Sequence, residues 1–165
     1  MMEFARRILG ERAIAFRATL FEKMPESNWL VGWHQDTALP LRDRREVSRW
    51  GPWSLKDNVL YAHAPADALE KIVALRVHLD DSTLENGRVL PGTQTKGVLT
   101  DDEIHVISES VTGVNCLIPL GGVIVMRPLI IHSSSKTRTE KPRRVLHIEY
   151  AESTEISDGL ELAIV

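Results

Sequence analysis

The sequence predicts a mainly β domain, an all-β sandwich or barrel with a few short helices. Two observations predict it. Short runs alternate apolar and polar residues, and clusters of Gly, Pro, Asn and Asp separate them. At 165 residues the chain is long enough to bury a real core, so residues 1–165 are expected to form one domain.

The elements follow in order. Residues 2–11 read as a short helix with Phe4, Ile8 and Leu9 on one side. Ala13 to Lys23 alternates as a strand that puts Arg17, Thr19 and Phe21 on one face. Pro25 to Asn28 signals a turn, and Trp29 to Asp36 is the next strand. Residues 40–63 lose periodicity and hold Arg42, Arg44, Arg45, Arg49 and Lys56 beside Trp50 and Trp53. That stretch fits a solvated loop pinned by its tryptophans and equally a lid over a site. Pro65 suits the first turn of a brief helix over Ala66 to Lys71. Val73 to Asp80 is a strand with Val73, Leu75, Val77 and Leu79 on one face and Arg76, His78 and Asp80 on the other. Asp80-Asp81-Ser82, Glu85-Asn86-Gly87 and Pro91-Gly92-Thr93 are turn chemistry. Leu117 to Leu120, Gly122 to Arg127 and Arg144 to Tyr150 supply later strands, with Gly121-Gly122 as a tight turn. Ser153 to Val165 reads as a trailing segment.

Composition excludes several function classes. A formal charge of −3 gives no electrostatic reason to expect nucleic acid or anionic membrane partners. The single cysteine, Cys116, cannot form an internal disulfide and sits in an apolar run, which suits a buried small hydrophobe. No apolar stretch has the length of a membrane span, and the N-terminus lacks a secretory pattern, so a cytoplasmic protein is expected.

The chemistry is concentrated in Gly32-Trp33-His34-Gln35-Asp36, Pro128-Leu129-Ile130-Ile131-His132 and Arg143. His34 and Asp36 lie two positions apart on a predicted strand, so their side chains point the same way. One more imidazole across a barrel puts three donors on one face of a metal and leaves the other face open. That two-His-one-carboxylate set is the signature of non-heme Fe(II) oxygenases. A second His-x-Asp, His78-Leu79-Asp80, shows that the motif alone does not decide. Spacing does. From His34 to His132 is 98 positions, room for several short strands, whereas His78 leaves only 54. His78 and Asp80 fit a polar strand face that lines the pocket.

Such iron would leave positions for a bidentate 2-oxo acid and then O2. The far carboxylate of that cosubstrate calls for a planar donor pair, which arginine supplies. Arg143 and Arg144 are adjacent, so only one can face the barrel interior. Arg143 shares parity with the polar positions His147 and Glu149 and is preferred; Ser134 can add a hydroxyl. His63 and His105 read as surface residues. Trp29, Trp33, Trp50 and Trp53 fit core or loop anchors as well as a stacking surface.

The run Trp33 to Asp36 resembles the phytanoyl-CoA dioxygenase family, as do Leu79-Asp80-Asp81, Glu85-Asn86-Gly87, Pro91-Gly92-Thr93 and Gly121-Gly122. Pro128 to His132, Ser134 and Arg143 complete a resemblance that runs from about Phe16 to Ala151. It implies a double-stranded β-helix, a jelly-roll or cupin-like barrel, that uses Fe(II), 2-oxoglutarate and O2. It also implies His34, Asp36 and His132 as the catalytic iron ligands, with Arg143 and Ser134 anchoring 2-oxoglutarate. Two departures stand out. Only about thirty residues precede His34, so the usual N-terminal helical cover is expected to be shortened. Gln94 stands where the family commonly has a histidine, which predicts altered pocket detail with the metal site retained. Asp36 favours hydroxylation over halogenation, in which a small residue replaces the carboxylate.

The sequence therefore points to a dioxygenase that hydroxylates a small, fairly apolar molecule and yields succinate and CO2. The rivals are a cupin-like metalloenzyme that does not use 2-oxoglutarate and a non-catalytic scaffold of the same fold. Neither the substrate nor the oligomeric state follows from the sequence.

Overall fold

Alternating side chains give a short strand two unlike faces, and the barrel follows from pairing such strands with the polar faces inward. The computed structural model of the protein describes residues 1–84 and 87–165. In chain order its elements are α1 (Met2–Leu9), β1 (Ile14–Lys23), β2 (Val31–His34), β3 (Ala38–Leu41), β4 (Trp53–Lys56) and β5 (Val59–His63). Then come α2 (Ala66–Leu69), β6 (Ile72–His78), β7 (Gly87–Val89), a 3-10 turn (Thr93–Thr95), α3 (Asp101–Ser110) and β8 (Val114–Asn115). The chain ends with β9 (Val123–Met126), β10 (His132–Ser134), β11 (Arg143–Ala151), β12 (Glu155–Ser157) and β13 (Leu160–Glu161). One sheet has the order β1-β11-β6-β9 and the other β2-β10-β7-β8, all pairs antiparallel. Neighbours in each sheet are distant in sequence. This is the expected jelly-roll, or double-stranded β-helix.

Each sheet turns one face to a central cavity and covers the other. Val73, Leu75 and Tyr150 on the outer face of the first sheet pack under α1 through Ala5, Met2 and Leu9. The expected helix is present, but Phe4 and Ile8 are exposed and the buried contact runs through Ala5 instead. Leu90 and Ile131, outside the second sheet, pack against Ile104 and Ile107 of α3 and against Trp33. No helix among the described residues is long and apolar enough to cross a membrane.

Several expectations need correction. Residues 40–63 are not a structureless loop: they hold most of a third sheet, β3-β5-β4, which brings Ser54, Lys56 and Tyr61 to the cavity. Asp57 and Asn58 both take positive φ (49° and 62°) between β4 and β5, the tight turn that suits the twist of a hairpin. Leu117 to Leu120 is not a strand; it runs beside the segment that follows β6, where the Ser82 amide donates to Ile118 O. The segment from Ser153 is not a loose tail. It makes the β12–β13 hairpin, and Ile156, Leu160 and Leu162 join Leu39, Leu41, Trp50 and Phe16 in the largest apolar cluster. Asp158 closes that hairpin and accepts from Trp50 Nε1 at 3.0 Å. Of the Glu85-Asn86-Gly87 turn, Glu85 and Asn86 lie outside the described residues.

Leu162→Ala is expected to lower the unfolding free energy by about 2–5 kcal/mol, as for other fully buried leucines. Ile164→Ala, two positions on and 71% exposed, is expected to stay within about 0.5 kcal/mol of the parent. Urea denaturation of the two variants checks this, and equal effects would contradict a docked C-terminal segment.

Candidate metal centre

His34 ends β2 and His132 begins β10, and the register of this antiparallel pair sets them directly opposite each other. Their rings lie 4.2 Å apart between centroids. Asp36, just past β2, reaches both: Oδ1 is 3.5 Å from His34 Nε2 and Oδ2 is 3.5 Å from His132 Nε2. One donor atom from each of the three residues falls within 4.8 Å of the others. Both imidazoles present the same nitrogen. His34 Nδ1 donates to Gly32 O at 2.9 Å and His132 Nδ1 donates to Ile130 O at 3.0 Å, which leaves each Nε2 lone pair for a metal.

The residue between the paired ligands explains why the motif is held so firmly. Gln35 points to the opposite face and is buried. Its Nε2 donates to Leu129 O at 2.7 Å and Gly97 O at 2.9 Å, and its Oε1 accepts from the Leu99 amide. The Asp36 amide donates to Pro128 O. The strand that carries His34 is thus tied to the run that leads into His132. Thr93, next to the left-handed Gly92 (φ 85°), accepts from the Ile131 amide and donates to Leu90 O. The Pro91-Gly92-Thr93 turn therefore braces the same run from behind.

Burial opposes charge on Asp36, yet the facing imidazoles of His34 and His132 hold its carboxyl far below the usual range. Burial alone would depress His34, but the Asp36 carboxylate outweighs it and raises that pKa. For His132 burial wins and lowers it. A carboxylate kept ionised beside imidazoles with free Nε2 atoms is a donor set that suits a divalent transition metal.

The three residues open onto a cavity of about 460 Å³ between the two sheets. At one end Arg143 is buried and its Nη2 donates to Ser134 Oγ at 2.9 Å. Arg144 faces outward and pairs with Asp80, which it contacts through its amide, Nε and Nη2. Strand parity separated the two arginines correctly.

The phytanoyl-CoA dioxygenase profile matches residues 1–145. This chain belongs to the phytanoyl-CoA dioxygenase family. L-proline trans-4-hydroxylase of Streptomyces griseoviridis is 29% identical, over 67% of this chain and 51% of that protein. The chain thus spans about half the length of the curated relative it matches. Among solved structures, AviO1 from Streptomyces viridochromogenes Tue57 is similar with TM-score 0.62 and 23% identity over 91% of this chain and 56% of its own. The epimerase SnoN of nogalamycin biosynthesis, in complex with Fe3+, α-ketoglutarate and nogalamycin RO, has TM-score 0.63 and 16% identity, covering 93% of this chain and 55% of its own. These two likenesses concern the fold.

This phytanoyl-CoA dioxygenase relative carries pocket residues that local spacing did not single out. Lys23, at the end of β1 and opposite Arg143 in register, is 2% exposed and donates to Ser134 Oγ, Ser134 O and Ser135 O. Burial, then Arg143 and Arg76, push its pKa down to about 8. Lys23 shares parity with Arg17, Thr19 and Phe21, and that was the available signal. His78 does line the cavity, as the polar-face reading expects, but Asp80 lies past the end of β6 and pairs with Arg144 instead. His78 Nδ1 meets Ser82 Oγ at 2.7 Å, while its Nε2 and the Nε of Arg143 are buried without hydrogen-bond partners among the described residues. Arg17 and Glu149 form a two-pronged ion pair across β1 and β11. Cys116 also lines the cavity instead of filling the core, and burial raises its thiol pKa. Gln94 lies in the 3-10 turn and is not among the residues that line the cavity. Of the tryptophans, Trp50 is core, Trp33 and Trp53 pack beside it or under α3, and Trp29 reaches the cavity.

His78 and His147 are buried neutral. Burial first, then nearby arginines, lower His78 to about 4 and His147 to about 3. In the unfolded chain both titrate at about 6.5, so below that pH the unfolded state binds more protons and folding weakens. The loss is on the order of 1 kcal/mol per pH unit for each histidine, down to the folded pKa. For metal-free protein, the fall in unfolding free energy from about pH 6.5 to 4.5 is expected to be shallower in His78→Gln than in the parent. Identical slopes by urea titration would mean that His78 is not held neutral by the fold.

Proposed function

We propose that this chain is an Fe(II)- and 2-oxoglutarate-dependent oxygenase that hydroxylates a C–H bond of a small molecule with an apolar body, giving succinate and CO2. One observation carries the reading: three metal donors, each imidazole fixed by a backbone carbonyl, open onto a cavity whose far end is an Arg143–Ser134 pair. Family membership and a structural relative that holds Fe3+ and α-ketoglutarate support it.

His34, Asp36 and His132 would hold the iron. Bound there, iron and the 2-oxo acid supply the oxygen activation that the protein's own side chains lack. The protein's residues bind and orient. Arg143 and Ser134 would take the distal carboxylate of 2-oxoglutarate, with Lys23 adding a second positive charge at the same hydroxyl. Two buried cations with no acid between them, and the unpartnered Nε atoms of Arg143 and His78, fit an anion at that end. Phe21, Trp29, Val31, Val89, Ile124 and Met126 give the remaining wall its apolar character and keep water from the reacting centre. Retention of Asp36 favours hydroxylation over halogenation.

Anaerobic addition of Fe(II) and then 2-oxoglutarate is expected to produce a visible charge-transfer band that needs both. His132→Ala abolishes it. Arg143→Ala raises the 2-oxoglutarate concentration for half-saturation by about 10–100-fold, the loss expected for a charge-assisted pair. A band indifferent to Arg143 would favour a metalloenzyme that does not use 2-oxoglutarate. No band in folded protein would favour a non-catalytic scaffold.

A further inference from the structure

Arg76 is the cavity's unmatched charge. It projects from β6, level with His147 and Ile124 in register, and lines the cavity. Its Nη1 lies 3.5 Å from His147 Nδ1, and its guanidinium carbon sits 5.6 Å from the Phe21 ring centre. Neither neighbour neutralises it. No carboxylate among the described residues lies within ion-pair distance of it, and burial lowers its pKa despite the attraction of Asp36. A guanidinium offers five donors in a fixed fork, and among the described residues its hydrogen bonding comes to one long contact.

The other charges of the cavity are paired, turned away from the metal donors, or placed where the cosubstrate would meet them. Glu149 is committed to Arg17. Arg88 borders the cavity from the outward parity of β7, where its guanidinium stacks on Trp33 and its Nε is buried without a hydrogen-bond partner among the described residues, so it does not face the metal donors. Lys56 stands exposed at the rim. A divalent metal more than offsets Asp36. A doubly charged 2-oxo acid would set one carboxylate against Lys23 and Arg143 and the other against the metal. Arg76 then still has no counter-charge, in a water-poor site where an unpaired charge is costly.

We propose that the substrate carries an acidic group, a carboxylate, and that Arg76 holds it beside the metal centre. The inference rests on the oxygenase reading above and narrows its substrate class from apolar molecules in general to small organic acids. The cavity volume of about 460 Å³ is toward the lower end for small-molecule sites, so the acid is small. The guanidinium is held in place by Phe21 and His147, ready for two parallel hydrogen bonds to a carboxylate. Its apolar neighbours Ile124 and Met126 of β9 suit the body of such a molecule.

The test uses protein loaded with Zn(II) and N-oxalylglycine, an unreactive 2-oxoglutarate analogue, so that no turnover is needed. Calorimetric titration compares acids with their neutral amides: L-proline with L-prolinamide, hexanoate with hexanamide, and cyclohexanecarboxylate with its amide. At least one acid is expected to bind about tenfold or more tightly than its amide, the size of a charge-assisted hydrogen-bond pair. Arg76→Gln is expected to remove that preference while N-oxalylglycine affinity changes by less than about threefold. Arg76→Lys, which keeps charge without the fork, is expected to keep the preference at reduced affinity. Amides that match their acids in every pair, or a preference that survives Arg76→Gln, overturn the proposal. So does an N-oxalylglycine affinity that falls as far as the acid's, because Arg76 would then serve the cosubstrate. Failure of the parent protein to bind N-oxalylglycine at all would instead defeat the oxygenase reading.

Discussion

The site depends on the register between two short strands, β2 and β10. His34 faces His132 in that pairing, and a slip of one residue would turn one imidazole to the outer face. Short strands specify register weakly by themselves, so the protein adds ties from outside the ladder. Gln35 fastens the ligand strand to Leu129 and Gly97, the Asp36 amide fastens it to Pro128, and Thr93 fastens the run to Leu90. None of these groups points at the metal. They make the approach of three donors a property of the folded backbone, in place before any ion arrives.

The second constraint is electrostatic. The inner faces of the sheets carry more positive charge than negative, in a space that water enters poorly. Arg17 and Glu149 cancel each other near Asp36, whereas Lys23, Arg76 and Arg143 face the cavity without acids of their own. Such a cavity is costly when empty and favourable once anions enter. Folding places the charges, and anions bound there would offset that cost. The depressed pKa of Lys23, about 8, and of Arg143, about 10, are local signs of that tension.

Some features were legible and others were missed for identifiable reasons. Periodicity located β1, β6 and β11 closely, because each is long enough for alternation to repeat. The β4–β5 hairpin was missed because its strands span only four and five residues, although Asp57-Asn58 carried the turn signal. Helix α3 was missed despite a local marker: Thr100 and Glu103 form a reciprocal capping box, with three acids in the first turn. The C-terminal hairpin was taken for a tail because its apolar residues are few, and it is their docking on Leu39, Leu41 and Trp50 that makes them core.

By itself the sequence determined the chemical inventory and its local direction. His34 and Asp36, two positions apart, point to the same side, Arg143 faces inward where Arg144 faces out, and turn residues punctuate the strands of a jelly roll. These are period-two properties, settled by bonds between neighbours. Only the tertiary structure decided which distant groups meet. His132 opposite His34, Lys23 and Arg143 on one hydroxyl, His78 beside them, and Arg76 alone near the metal donors are all products of strand pairing. Pairing joins residues tens of positions apart, and no spacing along the chain encodes which strand will lie next to which.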